Sequence, residues 1–128
     1  MEQVEHAKNV AQAFTAHFYN TFDVNRNELA NLYDPSVSLL QFESSPVVVG
    51  KDAIVKKLVE LPMRTVKHII TTADGQPTVD GGIVIHVLGQ LKADEDQPHS
   101  FSEMFHLKPQ GQSFIILNQI FRLAVHNG

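Results

Sequence analysis

The sequence predicts an α+β fold, in which helices come first and a long antiparallel sheet follows. Apolar residues in the first 61 positions recur every three or four residues, whereas beyond Pro62 they alternate with a period of two. Turn-forming segments rich in Pro, Gly, Asp and Gln separate the alternating runs. Helices segregated in this way from strands are typical of α+β domains.

Composition places the chain among ordinary globular domains. Its 128 residues fit a single domain, 1–128, with 43% hydrophobic and 19% charged residues. The net charge of −4 argues against a nucleic-acid surface, which needs clustered Lys and Arg. The lack of cysteine excludes disulfides and thiol chemistry and agrees with an intracellular protein. The acidic start, Met1–His6, does not fit a signal peptide, and no apolar run is long enough for membrane insertion.

Three helices are predicted in the first half. The first covers residues 3–22 and carries one apolar stripe. The stripe consists of Val4, Ala7, Ala11, Phe14, Phe18 and Phe22. A short helix follows near 26–33 and ends at Asp34-Pro35, because the residue before proline avoids helical geometry. The third helix runs from Lys51 to Leu61 and is ended by Pro62.

Strands account for most of the rest. A first strand runs from Val37 to Glu43, and Val47–Val49 resumes it after a break. The candidates in the second half are 64–74, 78–91, 100–108 and 113–125. Gly89 lies inside a strand and indicates a bulge or bend. A sheet curved around a helix would leave a cavity at one end.

The last candidate strand is apolar on both faces. Simple alternation divides its apolar residues into Phe114, Ile116 and Ile120 on one face, and Ile115, Leu117, Phe121, Leu123 and Val125 on the other. Two apolar faces mean that both are covered. Helices can cover one, and a second copy of the sheet is expected to cover the other. The sequence therefore predicts a homodimer packed sheet to sheet.

Seven histidines raise the question of a metal site. No two of them are three or four residues apart on a helix, and none forms a His-x-His pair on a strand, so no metal site is predicted. His68 and His86 lie on apolar strand faces and are expected to be partly buried and hydrogen-bonded.

Glu103 is the residue best placed to act as a general base. It alternates with Phe101, Phe105 and Leu107, so burial of that face would desolvate its carboxylate and favour the neutral form. No nucleophile, metal motif or second carboxylate accompanies it. The alternative is a structural acid at a sheet–sheet interface, bonded to Asn118, Gln119 or Arg122.

The acid cluster Asp94-Glu95-Asp96 ends a strand and has three interpretations. It can be a solvated turn, a calcium loop or a dock for a basic protein. A calcium loop needs alternating ligands over a dozen residues, whereas this run stops at Asp96. Asp94 and Asp96 are spaced to hold one Lys or Arg between two carboxylates. Phe42-Glu43 pairs an aromatic residue with an acid at another strand end.

Motifs along nearly the whole chain resemble those of the nuclear transport factor 2 family. The longest are FYNTFD at 18–23, GKDAIV at 50–55, GQLKADED at 89–96 and IFRL at 120–123. Shorter matches occur at 61–62, 67–68, 71–72, 76–77, 101–102 and 126–127. The KADED run and the FRL ending favour carriers of Ran over other proteins that share the cone-shaped fold.

The resemblance implies a cone-shaped α+β fold with a hydrophobic cavity, homodimerisation through the sheets, and import of Ran in its GDP form through nuclear pores. An aromatic residue of Ran would enter the cavity, and its flanking Lys and Arg would meet acids at the rim. By position the rim acids are Asp94, Asp96 and Glu43. The cavity positions are Phe42, Leu61, Met63, Val66, Met104 and Phe121.

The same resemblance implies binding of FxFG repeats of nucleoporins, near the start of the first helix and the dimer seam. It places the protein in cytoplasm and nucleus, enriched at the nuclear envelope and pore. No cofactor, nucleic acid or membrane is implied. The chain departs from the family at Ala7, where some members have an aromatic residue, at Met63, where phenylalanine is usual, and at Glu103, where glutamine is common.

Two alternatives to the carrier share the cone fold. One is a cavity enzyme of the ketosteroid isomerase or dehydratase type, and the other is an mRNA-export subunit that pairs with a larger homologue. A buried acid–base pair with a shifted pKa inside the cone would favour the enzyme. An apolar cavity with acids on its rim would favour the carrier, and homodimerisation would argue against the export subunit.

Overall fold

The computed structural model describes residues 1–124 and shows the predicted order of helices and strands. Val125, assigned above to the last strand, and the family motif at 126–127 lie outside the described residues. The helices are α1 (Glu2–Val24), a 3₁₀ helix (Arg26–Leu32) and α2 (Lys51–Val59). The strands are β1 (Leu39–Phe42), β2 (Val48–Val49), β3 (Val66–Pro77), β4 (Ile83–Ala93), β5 (His99–Gln110) and β6 (Ser113–Leu123).

The helix ends follow local chemistry. Glu2 and Glu5 lie in the first turn of α1, where negative charge is favoured by the helix dipole. The helix ends at Asn25, whose backbone is extended and whose side chain accepts a hydrogen bond from the Asn27 amide, which begins the 3₁₀ helix. Asp34 then forms a turn by accepting two backbone N–H bonds, from residues 36 and 37.

The six strands form one curled, open sheet in the order β2-β1-β6-β5-β4-β3. Strands β3 to β6 are an antiparallel meander, as the sequence predicts. Strand β1 differs, because it pairs in parallel with β6, with Leu39 opposite Asn118 and Phe42 opposite Phe121. Helix α2 lies between β2 and β3 along the chain and closes the end of the sheet at which Phe42 and Phe121 lie.

Two bulges set which side chains face inward. The pairing of β5 with β6 shifts between His106 and Leu107, which leaves Leu117 as the extra residue. Ile116 is therefore buried, whereas Ile120 is exposed on the opposite face. The alternation that placed Ile116 and Ile120 together is wrong, because it assumed an unbroken strand.

The second bulge lies in β3 at Thr71, opposite Gly89, where the sequence indicates a bulge or bend. A Cβ atom on Gly89 would lie 2.5 Å from the backbone oxygen of Ile69 and 3.0 Å from the Phe101 ring. Glycine therefore lets β4 approach its neighbours at the bend.

The core lies between α1 and the concave face of the sheet. Phe14 and Phe18 of α1 pack edge-on against Phe105 of β5, with ring centres 5.2 and 4.9 Å apart. Helix α1 also covers the free edge of β3, because Gln12 donates to the Ala73 oxygen at 2.8 Å and Asp23 accepts the His68 amide at 3.0 Å. Such cover leaves that edge less open to pairing with another strand.

No helix among residues 1–124 covers the exposed apolar side chains on the convex face of the sheet. Leu88 and Ile120 lie on it with 43% and 42% of their surface exposed. The predicted sheet-to-sheet homodimer would cover this face, and it stays a prediction here.

Gly75 marks the closest approach of β3 to α1 and gives a test of the packing. In the Gly75→Ala variant the new Cβ would lie 2.6 Å from the Ala7 carbonyl oxygen and 2.7 Å from the Ala11 Cβ. We expect the free energy of unfolding in urea, followed by circular dichroism, to fall by about 1–3 kcal/mol. The exposed neighbour provides the control, Asp74→Ala, which should change stability little. Equal stability of the two variants would contradict the packing described.

Candidate functional site

A small cavity lies where the sheet, both helices and the loop after α2 meet. Its walls come from seven elements and that loop, and the lining residues are Phe22, Phe42, Leu58, Met63, His68, Leu91, Glu103 and Phe121. The space open to solvent is only about 10 Å³, which is room for about one water molecule. The cavity is thus nearly closed in this conformation.

Three of the six predicted cavity positions line it: Phe42, Met63 and Phe121. Phe42 stacks on Phe121 with ring centres 4.4 Å apart and planes inclined by 7°. Phe121 is buried, whereas Phe42 and Met63 are half-buried and so form the solvent side of the cavity. Leu61 and Val66 are half-buried and pack against the adjoining core without lining the cavity.

Met104 is a wrong assignment for the cavity. The inward residues of β5 are Phe101, Glu103, Phe105 and Leu107, so the period of two turns Met104 to the convex face. There it lines a separate groove. The position that does reach the cavity from β5 is Glu103.

Glu43 borders the cavity directly after Phe42. Its backbone lies in the left-handed region, with φ of 56°, at the end of β1. Its amide donates to the Phe121 oxygen at 2.9 Å, and its Oε1 accepts the Leu123 amide at 2.5 Å. These bonds hold the Glu43 carboxylate against β6, and within residues 1–124 its Oε2 accepts no hydrogen bond.

Asp94 and Asp96 differ in their surroundings. Asp94 is half-buried, and its Oδ1 accepts the Arg64 amide at 3.0 Å and the Thr65 amide at 2.8 Å. The Thr65 bond is the main cause that holds the pKa of Asp94 below its ordinary value. Asp96 and Glu95 are exposed. Asp94 therefore ties down the loop after Met63, and Asp96 offers a free carboxylate on the same turn.

The loop 60–65 is held from both sides. Arg26 donates to the backbone oxygens of Leu58, at 3.0 Å, and Met63. Asp94 holds Arg64 and Thr65 from the sheet side. Met63 lines the cavity and lies next to both sets of bonds, so the loop forms a wall of the cavity whose backbone is held in place.

Glu103 lies at the centre of a buried polar network. Tyr19 donates to its Oε1 at 2.7 Å, and Gln119 donates to its Oε2 at 2.7 Å. Tyr33 donates to the Gln119 oxygen at 2.6 Å. The predicted bond to Gln119 is present, but the predicted place is wrong, because Glu103 faces α1 and not the convex face.

Burial raises the pKa of Glu103 to about 7, although both hydrogen bonds lower it. The same burial, together with the negative Glu103, raises the pKa of the Tyr19 hydroxyl far above its ordinary value. This acid in the cavity wall is the feature that the enzyme alternative predicts. Both oxygens of Glu103 accept hydrogen bonds, however, from Tyr19 and Gln119, and the cavity beside it would have to widen for a substrate, as for any other guest.

Among the histidines, His68 is half-buried and its Nδ1 lies 2.6 Å from Asp23 Oδ1, as expected for a bonded imidazole. His86 is exposed on the convex face, so the expectation of burial is wrong for it. Within residues 1–124, no group of three or more His, Cys, Asp or Glu side chains could hold a metal ion. No helix in the same range is long and apolar enough to cross a membrane.

Two grooves lie outside the cavity. The first runs over the convex face, and its apolar lining includes Leu39, Val47, Val84, Met104 and Ile120. The second lies at the start of α1, and its apolar lining includes Met1, Pro77, Val79, Pro109 and Phe114. Thr78 and Val79 border both grooves, so the two are continuous.

Sequence reasoning missed several cavity residues: Phe22, Leu58, His68, Leu91 and Glu103. Phe22 and Leu58 are assigned correctly to apolar helix faces, but which part of such a face meets the cavity depends on where the helices dock. The signal for Glu103 was its alternation with Phe101 and Phe105, which already excludes Met104 from the same face.

Comparison with known proteins identifies the family. The nuclear transport factor 2 (NTF2) domain model matches residues 10–123. Nuclear transport factor 2 of Saccharomyces cerevisiae is 47% identical over 116 residues, which cover 89% of this chain and 91% of that protein. The probable nuclear transport factor 2 of Caenorhabditis elegans is 43% identical, with 94% of each chain covered. The structure of nuclear transport factor 2 from Cryptosporidium parvum superposes with a TM-score of 0.85 at 36% identity over 94% of each chain.

The raised pKa of Glu103 predicts a pH-dependent stability. The folded protein holds this proton up to about pH 7, whereas the unfolded chain releases it near the ordinary value of 4.5. The free energy of unfolding should therefore fall as pH rises from about 4.5 to 7. The Glu103→Gln variant avoids this loss, and at pH 8 we expect it to be more stable than the wild type by roughly 3 kcal/mol.

Urea unfolding of both proteins at pH 5 and pH 8 measures this difference, which should be large at pH 8 and small at pH 5. Glu95→Gln is the control, because Glu95 is exposed and its replacement should give no such pH-dependent difference. An unchanged or lower stability of Glu103→Gln at pH 8 would contradict the desolvation of Glu103.

Proposed function

Because this chain belongs to the nuclear transport factor 2 family and so has a role in nuclear transport, we propose that it is the import carrier for Ran in its GDP form. The observation that carries the proposal is a small, largely apolar cavity, two of whose wall residues have acids next to them: Glu43 follows Phe42, and Asp94 bonds to Arg64, which follows Met63. The relatives are named as transport factors and not as enzymes, which agrees with a carrier.

The cavity would receive one aromatic side chain of Ran. Burial of a phenylalanine-sized group contributes about 1.5–3 kcal/mol. Since the space is now only about 10 Å³, the cavity has to widen, and its half-buried side chains Phe42 and Met63 are the ones free to move. Methionine at position 63 is flexible and can reshape the opening around the guest.

The acids would act on the Lys and Arg residues that flank this aromatic side chain. Asp96 is exposed and Glu43 keeps one free oxygen, so both can pair with an incoming cation. Asp94 would add its charge while it holds the loop next to Met63. Such pairs increase association rates and fix orientation, and salt weakens them. Preference for GDP would come from Ran, through the conformation that its nucleotide imposes.

The convex face supports a homodimer as the form of the carrier. Its groove is lined by apolar side chains that a second copy would bury. The groove at the start of α1 is continuous with this face and would lie at the dimer seam. We propose that this groove binds the FxFG repeats of nucleoporins. Phe114, Pro77 and Val79 line it and would contact the repeat, whereas Ala7 is buried and would not. A carrier with these partners would occur in cytoplasm and nucleus and concentrate at the nuclear pore.

Titration calorimetry with Ran–GDP tests the rim. We expect the Asp94→Asn/Asp96→Asn double variant to bind at least about tenfold more weakly than the wild type, since each lost charge pair contributes of the order of 1 kcal/mol. Asp96→Asn alone tests charge without disturbing the bonds of Asp94 to the loop, and Glu95→Gln is the neighbouring control. Wild-type affinity in the double variant would exclude these acids from the rim.

Sedimentation equilibrium at micromolar concentration tests the dimer. The wild type should be a dimer, and Ile120→Glu should be a folded monomer, because it places a charge in the apolar convex face. Val59→Glu is the matched control, since Val59 lies on α2 and is 41% exposed against 42% for Ile120. A monomeric wild type would contradict the proposed assembly, and a heterodimer with a larger homologue would favour the mRNA-export alternative.

A further inference from the structure

We propose that Glu103 sets the affinity of the cavity for its guest, because the cavity can close over an aromatic side chain only when this carboxyl group is protonated. The inference rests on the proposed function and extends it to the chemical state of the site. It gives a role to Glu103, which is the buried carboxyl group in the cavity wall and which the carrier mechanism leaves unused.

The first argument is the place of Glu103. It lines the cavity from β5, and only 4% of its surface is exposed. The remaining space beside it has room for about one water. A guest that fills the cavity would displace this water and remove the last solvation of the carboxylate. Loss of solvation favours the neutral acid over the charged form.

The second argument is the character of the groups around it. Within residues 1–124, the two hydrogen bonds to its oxygens come from the neutral donors Tyr19 and Gln119, and none comes from a cation. Three phenylalanines already line the cavity, and a guest ring would add a further aromatic group, whose face carries a negative quadrupole that repels a carboxylate. The ionised acid is thus supported by two hydrogen bonds, and it is opposed by the loss of solvation and by the aromatic ring that a guest places in the cavity.

The third argument is that the network can accept the proton. If the Gln119 amide rotates, its oxygen can accept a hydrogen bond from protonated Glu103 Oε2. The amide nitrogen would then donate to the Tyr33 hydroxyl, which lies 2.6 Å from the Gln119 oxygen in the present arrangement. Each of these groups keeps a hydrogen bond in both states, and the Tyr33 hydroxyl changes from donor to acceptor. Among the hydrogen bonds within residues 1–124, the cost of proton uptake is thus the loss of the acceptor for the Tyr33 O–H.

Other charged groups lie near the cavity, and their effect on the pH dependence of binding has to be distinguished from that of Glu103. His68 lines the cavity from β3 and is bonded to Asp23 of α1. Arg26 lies 5.4 Å from the centre of the Phe22 ring, which forms another wall. The His68 side chain is only 3% exposed and is bonded to Asp23. The Glu103→Gln variant leaves His68, Asp23 and Arg26 in place, so it shows which part of a pH dependence belongs to Glu103.

The expected behaviour follows from proton linkage. Glu103 of the free protein has a pKa of about 7, and a guest would raise it further. Affinity should then be constant below about pH 6 and fall as pH rises beyond 7. The total loss is about tenfold for each unit by which the guest raises the pKa. Binding should be accompanied by uptake of a proton.

Calorimetry of Ran–GDP binding at pH 6.0 and 8.5, in two buffers of different ionisation enthalpy, measures both affinity and proton uptake. For the wild type we expect affinity at least about tenfold higher at pH 6.0 than at pH 8.5, and net proton uptake in a third titration at pH 7.5, where free Glu103 is mostly ionised. Glu103→Gln should bind at pH 8.5 as tightly as the wild type does at pH 6.0, without uptake through this site. Glu95→Gln should keep the wild-type pH dependence, which accounts for protons taken up by Ran or by the rim.

Toluene serves as a second guest because it carries no charge and no titratable group, and its binding can be monitored by NMR. If Ran–GDP fails to bind while toluene binds with the same pH dependence, the proposed function fails and the inference stands. If either guest binds the wild type and Glu103→Gln with equal affinity and equal pH dependence, the inference is overturned while the cavity site remains. If neither guest binds at any pH, both are overturned.

Discussion

The arrangement of this protein depends on how the aromatic stripe of α1 fills the concave face of the sheet. Phe14 and Phe18 occupy the space above Phe105, so no cavity is left along most of the helix. Beyond Phe22 the stripe ends, and the sheet is closed by α2, the loop 60–65 and Phe42. The cavity is therefore the part of the concave face that α1 is too short to fill, and its walls come from many separate parts of the chain.

The same packing explains why the polar groups of the site are fixed in place. Tyr19 follows Phe18 on α1, so docking of the aromatic stripe places its hydroxyl on Glu103. Asp23, one turn further, reaches the edge of β3 at His68. A buried acid with a raised pKa is a candidate for catalysis or for a structural role, and here we propose a third use for it. In a carrier the same desolvation can tie the binding of a guest to the binding of a proton.

Most elements of the fold could be predicted from the sequence because the hydrophobic period reports directly which face of a helix or strand is buried. The order of elements, the meander and the bend at Gly89 all follow from it. The parallel pairing of β1 with β6 could not be predicted, since no local pattern reports which distant strand lies alongside. The bulge at Leu117 was also missed, and one extra residue was enough to put Ile120 on the wrong face.

The sequence by itself determined the family and the α+β fold, because motifs and periodicity are local properties of the chain, and it predicted which acids belong to the rim. Only the tertiary structure decided which of those residues meet. It placed Met104 on the convex face and Glu103 in the cavity wall, and it tied Asp94 to the loop after Met63 while Asp96 stayed free. Burial, pKa and bonding partners arise from segments far apart in sequence, so they exist only once the sheet has curled around α1.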